Sequence, residues 1–490
     1  SDEDCKWVEE TIAGMTTEEK IGQLFFNMGS SRDEEYLKMT VDKYHIGGIR
    51  YNPATGAEVR EQNRILQENS KIPLIIACNT ENGGNGACTD GTMIGQQTKI
   101  GATRDARYAY ELGRMSNKEA AAIGCNLSFA PVSDILYNWE NPVIGLRTYG
   151  NDVDRVCEMT KAYMDGAHTN EGFCCAAKHF PGDGLDFRDQ HVADSVNDMS
   201  CEEWDASYGK VYQNLIDNGL EAIMAGHIMQ PAYTRHFNPG IKDEDIMPAT
   251  LSPELIEGLL RGKLGFNGMV LTDASHMVGL TCCMKRSEML PHTIAAGVDM
   301  FLFFNEMDED FASMMAGYEN GIITEERLND ALHRILALKA HMGLHKKAKN
   351  EIVPPVEVME QVVGCEEHKA MAREISEKGI TLVKYKDEDV LPMIPSRYNR
   401  IMIVSVSGLS AGVMGTMMAK YMGGGKKSPA ERLRDKLIEK GFDAFIYESP
   451  LDALAKRAAG EKVDINMYFA GKTPIKDFVE NQDLIITLVD

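Results

Sequence analysis

Eight short apolar runs, each followed by a stretch with helical periodicity, recur over the first two thirds of this 490-residue chain. Apolar runs of this kind are typical of parallel strands that helices cover on the outside, and eight successive βα units predict a TIM-type (β/α)8 barrel. A doubly wound open sheet is the alternative, but no Gly-x-Gly-x-x-Gly turn follows the first run. The eight predicted strands are 22–28, 46–52, 73–79, 126–134, 173–180, 222–229, 269–273 and 300–305.

The last third of the chain predicts a second, smaller domain. Residues 345–358 are charged, contain prolines and lack periodicity, which is typical of a linker. We therefore expect the barrel at 1–344 and an α/β sandwich-like domain at 359–490. Because the chain ends on a strand-like run, the sequence leaves open whether this second domain is incomplete. Its predicted strands are 380–386, 400–406, 443–449 and 483–490.

The composition limits what the chain can bind. A net charge of −23 opposes binding to nucleic acid and to an anionic membrane surface, and no apolar run approaches the length of a spanning helix. The eleven cysteines are odd in number and include two adjacent pairs, Cys174–Cys175 and Cys282–Cys283, which favours reduced thiols over a disulfide framework. We expect no nucleic-acid partner, no membrane and a cytoplasmic location, and the start at Ser1 leaves secretion open.

Titratable residues follow several predicted strands directly. The stretch AAKHFPGDGLDFRDQH begins inside the fifth strand and puts Lys178 and His179 at its carboxyl end. Asp134 ends the fourth strand, His227 lies in the sixth, and Asp273 ends the seventh. Barrel enzymes hold their chemistry where the carboxyl ends of the strands meet, so we expect these groups to converge at the mouth of the barrel.

The Lys-His-Phe-Pro-Gly-x-Gly…Asp-x-His pattern in that stretch resembles the signature of family 3 glycoside hydrolases in their β-N-acetylglucosaminidase branch. Four more motifs follow the order of that family, and the resemblance covers most of the chain. It implies a barrel enzyme that hydrolyses a terminal β-linked N-acetylhexosamine, N-acetylglucosamine first, with retention at the anomeric carbon and without a cofactor or metal. The four motifs are APVSD at 130–134, NPVIGLRTYG at 141–150, AGHIM at 225–229 and GFNGMVLTD at 265–273.

The resemblance also implies catalytic roles. It makes Asp273, from the Thr-Asp motif, the nucleophile. Retaining hydrolysis needs a second group that protonates the leaving oxygen and then activates water. In this branch that group is a histidine held by an aspartate, and the DQH sequence supplies His191 and Asp189. A neighbouring carboxylate orients an imidazole and favours its protonated form.

Sugar binding is expected from the family positions and from the polar strand ends. Where relatives commonly have Asp-Gln-Glu-Gly-Gly-Arg after the third strand, this chain has TENGGNGACTD, which puts Thr80 at the sugar-binding aspartate. TDASHM also replaces a common Thr-Asp-Asp-Met, so a sugar other than plain N-acetylglucosamine stays open. The candidate sugar-binding residues are Lys178, His179, Arg147, Asp134, His227 and Thr80.

Several alternatives remain at this stage. A β-glucosidase of the same family would take its acid from a glutamate elsewhere. A phosphorylase fits a histidine acid/base, which carries no negative charge to repel phosphate. A sugar-binding homologue with weakened catalysis fits the altered third loop. A metal-dependent amidohydrolase is disfavoured, because the first predicted strand has no histidine. The sequence predicts a carbohydrate substrate and leaves a homodimer open.

Overall fold

The computed structural model describes residues 1–385, 391–406, 427–447, 457 and 481–489. The chain divides into two compact units, Ser1–Thr381 and Leu382–Asp490. Among the helices that the structure describes, none combines the length and the apolar character that a membrane-spanning segment requires. All eleven cysteines are unpaired thiols, as the adjacent pairs predicted.

The first unit is a closed barrel of eight parallel strands, which confirms the predicted fold. The eight strands follow one another in the order β1-β10-β9-β7-β5-β4-β3-β2, and β6 and β8 form a separate parallel pair. In chain order the strands are β1 (Phe25–Gly29), β2 (Gly48–Tyr51), β3 (Ile75–Cys78), β4 (Leu127–Ser128), β5 (Cys174–Phe180), β6 (Ser195–Val196), β7 (Ala222–Ala225), β8 (Ile228–Met229), β9 (Met269–Ala274) and β10 (Met300–Leu302).

Burial on both faces explains why the strands are nearly continuous apolar runs. All seven residues of β5 are buried between the barrel interior and the outer helices. Two predicted strands are divided in the structure. Pro131 has no N–H to donate to a ladder, and the run at 126–134 forms β4 before it and an isolated parallel bridge between Val132 and Lys178 after it. The run at 222–229 divides into β7, which belongs to the barrel, and β8, which pairs with β6, and between them Gly226 N donates to Phe180 O of β5.

Helices cover the outside of the barrel, and polar caps fix where several of them begin. At one such start the Thr55 hydroxyl accepts from the backbone of Glu58, whose carboxylate accepts from Thr55 N. The α-helices of the first unit are Asp2–Ala13, Thr17–Gln23, Glu34–Asp42, Gly56–Asn69, Gln97–Thr103, Ala106–Ala122, Val153–Ala167, Cys201–Trp204, Lys210–Asp217, Pro231–Phe237, Val278–Thr281, Arg286–Ala295, Met307–Glu319, Glu325–His341, Val356–Val362 and Glu366–Lys378, and Asp205–Gly209 and Glu254–Lys263 are π-helical.

The boundary between the two units lies further along the chain than the predicted linker at 345–358. The helix Glu366–Lys378 packs on the barrel unit, where His368 Nδ1 lies 2.6 Å from Glu119 Oε1 and both side chains are fully buried. Arg114 also pairs with Glu367 at 2.9 Å. Residues 345–381, which include the predicted linker at 345–358 and the first part of the predicted second domain, therefore belong to the first unit.

The second unit contains a three-stranded parallel sheet, in agreement with the predicted α/β class. Its strands are β11 (Arg400–Val406), β12 (Asp443–Ile446) and β13 (Leu484–Val489), in the order β12-β11-β13, and the helix Pro429–Glu439 connects β11 to β12. The strand predicted at 380–386 is wrong for residues 380–385, which form no regular structure, and residue 386 lies outside the described part of the chain.

A buried lysine generates a prediction about stability. Lys339 is fully buried, its ammonium group donates to Gln23 Oε1 at 2.6 Å, and burial lowers its pKa to about 7. The unfolded chain keeps this proton up to the ordinary lysine pKa, so between pH 7 and about 10 the unfolded state binds more protons than the folded state. The free energy of unfolding therefore falls as the pH falls through this window.

We expect Lys339→Met to raise the melting temperature at pH 7. The free energy of unfolding of the wild type should rise relative to that of the variant from pH 7 to 9, by up to about 1.4 kcal/mol per pH unit. Denaturant titrations across this range measure the difference. Lys118→Met, at an exposed position, is the matched control and should show no such trend. A pH-independent difference between wild type and Lys339→Met would contradict the expectation.

Candidate active site

One pocket opens at the carboxyl ends of the barrel strands. Its wall combines residues from most of the strands with residues from the loops that follow them, so side chains far apart in sequence meet at one point. Apolar side chains form part of the wall, and charged side chains and imidazoles form the rest. The lining residues are Met28, Arg50, Asn79, Phe129, Arg147, Lys178, His179, His191, Met224, Asp273, Ala274, His276, Leu302 and Phe303.

Asp273 lies near the end of β9 with its carboxylate in the pocket. Its Oδ2 is 3.8 Å from Nε2 of His179, and Nδ1 of that imidazole is 2.7 Å from Oδ2 of the fully buried Asp134. Burial opposes ionisation of Asp273, but His179, His227 and a hydrogen bond from Ala274 N lower its pKa below the ordinary value. A carboxylate that stays ionised here can attack an electrophilic carbon.

His227 supports this carboxylate from behind the pocket wall. Its Nε2 lies 3.0 Å from Ala274 O, and because a carbonyl oxygen only accepts, Nε2 carries the proton. Nδ1 then accepts from the Thr250 hydroxyl at 3.0 Å. Burial lowers the pKa of the imidazole. His227 is only 1% exposed and uses both ring nitrogens inside the protein, so neither is left for the predicted sugar contact.

The cations Lys178 and Arg147 share one carboxylate, Glu81. The Arg147 guanidinium donates to both Glu81 oxygens, at 3.1 and 3.2 Å, and Lys178 Nζ lies 3.2 Å from Oε2. Burial opposes ionisation of Glu81, but the two cations prevail and lower its pKa to about 2. The three side chains form a fixed set of charged donors and acceptors of the kind that binds sugar hydroxyls.

Thr80, the predicted sugar contact, lies outside this pocket. Its side chain is fully buried and its hydroxyl is hydrogen-bonded to Asn117 at 2.7 Å, Ser128 at 2.6 Å and Tyr163 at 3.2 Å. The adjacent residue, Glu81, contacts the pocket cations instead. The sequence contained a signal for Glu81, since it is the carboxylate nearest to the end of β3, but the position in the family pattern pointed to its neighbour.

His191 lies at the rim of the pocket and pairs with Asp189, as predicted from the DQH motif. Its Nδ1 is 2.7 Å from Asp189 Oδ1, and its backbone N–H donates to the same oxygen at 2.8 Å. The carboxylate only accepts, so Nδ1 carries a proton and Nε2 is left for another partner. The imidazole is 51% exposed, which leaves it accessible to a bound molecule and to water.

The loop that carries this pair is anchored by two buried residues that the sequence analysis did not select. Gln190, between the pair, donates to Asp183 Oδ2 at 3.1 Å and accepts from His227 N at 2.9 Å. Asp183 N donates to Asp134 Oδ1 at 2.8 Å. Burial and the charge of Asp134 raise the pKa of Asp183 to about 6. The rim loop is thus connected to the carboxylate that also orients His179.

Comparison with known proteins identifies relatives of the whole chain. Residues 16–338 match the family described as the glycosyl hydrolase family 3 N-terminal domain. The chain is similar to a β-N-acetylglucosaminidase/β-glucosidase from Cellulomonas fimi, with 39% identity over 447 residues, which are 91% of this chain and 77% of that protein.

Solved structures show the same likeness. A β-glucoside phosphorylase, BglX, bound to 2FGlc superposes with a TM-score of 0.89 at 37% identity, and the match covers 100% of this chain and 82% of that one. A family 3 β-N-acetylglucosaminidase from Paenibacillus sp. str. FPU-7 superposes with a TM-score of 0.79 at 25% identity, covering 97% of this chain and 85% of the other.

The shared carboxylate generates a prediction that needs no ligand. Glu81→Gln keeps the shape of the side chain but leaves Lys178 and Arg147 as neighbouring cations without a counter-charge. Lys178 is buried, whereas Glu81 and Arg147 are partly exposed, so the cost of breaking a buried ion pair, about 3–5 kcal/mol, is the upper limit here. We expect the free energy of unfolding at pH 7 to fall by up to that amount, measured by denaturant titration. Glu140→Gln, at an exposed position, is the matched control. Equal stability of Glu81→Gln and wild type would contradict the assignment.

Proposed function

Because this chain belongs to glycosyl hydrolase family 3 and is a glycosidase acting on β-linked sugars, we propose that it releases terminal β-linked N-acetylhexosamine, N-acetylglucosamine above all, with retention at the anomeric carbon. The observation that supports this most directly is that Asp273 and His191, which is paired with Asp189, line one pocket. Double displacement needs these two functions, a nucleophilic carboxylate and a proton donor, within reach of one glycosidic bond.

In the first step the Asp273 carboxylate attacks the anomeric carbon. The bond from that carbon to the leaving oxygen breaks, and the proton on His191 Nε2 moves to the departing oxygen. The lowered pKa of Asp273 keeps the carboxylate ionised at neutral pH, so no separate base is needed to activate it. The product is a covalent glycosyl ester of Asp273.

Of the three histidines that line the pocket, His179 and His191 are each paired with an aspartate, and geometry favours His191 over His179 as the acid. In a displacement the nucleophile and the leaving oxygen lie on opposite faces of the anomeric carbon, and the nucleophile and acid of retaining enzymes stand about 5–5.5 Å apart. His179 Nε2 is 3.8 Å from the Asp273 carboxylate and therefore lies on the nucleophile's side. It can hold Asp273 and contact the sugar, which leaves the exposed imidazole of His191, at the rim, as the proton donor for the aglycone.

In the second step an acceptor attacks the glycosyl ester and Asp273 is released. With water as acceptor, His191 Nε2 takes up the water proton, the new bond joins the water oxygen to the anomeric carbon, and the dyad returns to its starting state. Asp189 accepts from Nδ1 throughout and so keeps Nε2 directed at the reacting oxygen.

A second candidate function is phosphorolysis, in which phosphate replaces water in the second step. It is favoured by the 37% identity to a protein described as a β-glucoside phosphorylase, which covers all of this chain. The name of the Cellulomonas fimi relative also pairs N-acetylglucosaminidase with β-glucosidase activity, so glucosides are the alternative sugar class. Cleavage of aryl N-acetyl-β-glucosaminide and aryl β-glucoside, with product analysis in the presence and absence of phosphate, tests both choices.

The assignment of the nucleophile gives a direct prediction. Asp273→Asn keeps the size of the side chain and removes the attacking charge, so we expect kcat to fall by about 10³-fold or more while the melting temperature stays close to that of the wild type. Initial rates on the aryl glycosides measure the effect. Asp245→Asn, at an exposed position, is the matched control. A near wild-type rate for Asp273→Asn would show that another group is the nucleophile.

The assignment of the acid/base predicts a dependence on the leaving group. His191→Ala should slow cleavage of an unactivated disaccharide by about 10²–10⁴-fold, but slow glycosylation by an activated aryl glycoside only mildly, because such a leaving group departs without a proton. Azide, which needs no base, should partly restore turnover of the aryl substrate. Asp189→Asn should show a weaker form of the same pattern.

His179→Ala is the matched comparison for this experiment, because His179 is the other Asp-paired imidazole in the pocket. If His179 holds the nucleophile, its loss should slow both classes of substrate alike, and azide should not restore the rate. The opposite pattern, with leaving-group dependence and azide rescue in His179→Ala only, would exchange the roles of the two histidines.

A further inference from the structure

Arg50 is a pocket cation without an acidic partner. It lies in β2 and lines the same pocket as Asp273 and His191. Its hydrogen bond within the described part of the chain runs from Nη1 to Met28 Sδ at 3.5 Å, and a thioether is a weak acceptor. A guanidinium group carries five N–H donors and keeps its charge, so most donors of Arg50 have no partner in the described part of the chain.

Two other cations of the pocket have a carboxylate partner. Lys178 and Arg147 are both held by Glu81, at 3.1–3.2 Å. Arg50 has no such carboxylate: burial lowers the pKa of its guanidinium, and among the described residues only Tyr51 and Cys78 act in the opposite sense. The wall of the pocket therefore contains a desolvated positive charge that contacts no carboxylate of the described residues.

Because Arg50 lacks a counter-charge among the described residues, we expect its ligand to be an anion. A neutral sugar offers hydroxyl groups, which cannot compensate a full charge, and the acids at the pocket are already engaged, Asp273 beside His179 and Glu81 with its two cations. A phosphate group presents several oxyanions in the geometry that a guanidinium fork binds with two parallel hydrogen bonds. We propose that Arg50 is a phosphate-binding residue of this pocket and that its ligand is inorganic phosphate acting as glycosyl acceptor.

This inference rests on the double displacement proposed above and specifies its second step. An oxygen of HPO₄²⁻ attacks the anomeric carbon of the glycosyl ester, the bond from that carbon to Asp273 Oδ breaks, and the electron pair returns to the carboxylate. The phosphate keeps its proton, so the products are a sugar 1-phosphate monoanion and the free Asp273 carboxylate. No proton needs to move to His191 in this step, whereas water requires that transfer. The proton that His191 gave to the leaving group is replaced from solvent before the next cycle.

The same chemistry has a second source, a phosphoryl substituent on the sugar itself. The two sources are separated by their substrates. If free phosphate is the ligand, phosphate speeds turnover of an unphosphorylated aryl glycoside and sugar 1-phosphate appears. If a substituent is the ligand, an aryl 6-phosphoglycoside is cleaved faster than its parent without added phosphate. If it depends on Arg50, the first result supports the proposal, whereas the second keeps Arg50 as a phosphate-binding residue and overturns inorganic phosphate as its ligand.

The experiment compares wild type, Arg50→Met, Arg50→Lys and the control Arg373→Met, which removes an exposed arginine from the helix Glu366–Lys378. Rates and products are measured at increasing phosphate concentration. We expect the phosphate concentration at half-maximal effect to rise about tenfold or more in Arg50→Met, in line with loss of a charge-assisted pair, and to a smaller extent in Arg50→Lys. Arg373→Met should match the wild type.

The proposal is overturned if neither phosphate nor a 6-phosphoryl group alters rate or products in the wild type, or if Arg50→Met keeps the full effect. Failure of the glycosidase mechanism itself looks different, since no aryl β-glycoside is then cleaved under any condition. In that case ³¹P NMR titration with inorganic phosphate still tests whether Arg50 binds phosphate. Binding to the wild type that weakens in Arg50→Met supports the site, and equal binding, or none to the wild type, refutes it.

Discussion

The buried carboxylate of Asp134 is the group on which the arrangement of the site depends. It accepts from the backbone N–H of His179, from the Nδ1 of that imidazole and from the backbone N–H of Asp183, and water cannot replace these donors because Asp134 is fully buried. The first two contacts direct His179 Nε2 towards Asp273. The third fixes the loop in which Gln190 anchors the His191 pair. In the proposed mechanism, one buried acid thus organises both the side that attacks the sugar and the side that donates the proton.

The cations of the pocket differ in whether they contact a carboxylate. Lys178 and Arg147 both contact Glu81, whereas Arg50 has no carboxylate partner among the described residues. If the reaction passes through the glycosyl ester proposed above, phosphate bound at Arg50 would compete with water as the acceptor. The proposed choice between hydrolysis and phosphorolysis then depends on one residue of β2.

Much of the fold follows from the sequence, because eight buried parallel strands leave a strong apolar signal. The polar ends of β5 and β9 were equally evident, and Lys178, His179 and Asp273 line the pocket. Residues just beyond a strand were harder to assign. The path of the backbone after the last hydrogen bond of the sheet decides which side chains point into the pocket. Thr80 and Glu81 are neighbours, yet one is buried among hydroxyl groups and the other meets the pocket cations. Arg50 was not predicted as a site residue. A single arginine in an apolar run indicates no function until the structure shows that it lacks an acidic partner among the described residues.

The central claim, that Asp273 forms a covalent ester which the His191 pair then resolves, is tested most directly by trapping that ester. His191→Ala lacks the base for the second step, so the enzyme mixed with an activated aryl glycoside and quenched with acid should carry one added sugar mass. Peptide mass spectrometry should locate that mass on Asp273. Wild-type enzyme trapped with a slow 2-fluoro glycoside should carry the fluorosugar on the same residue. Labelling of any other residue, or release of product with inverted anomeric configuration and no labelled protein, would contradict the account.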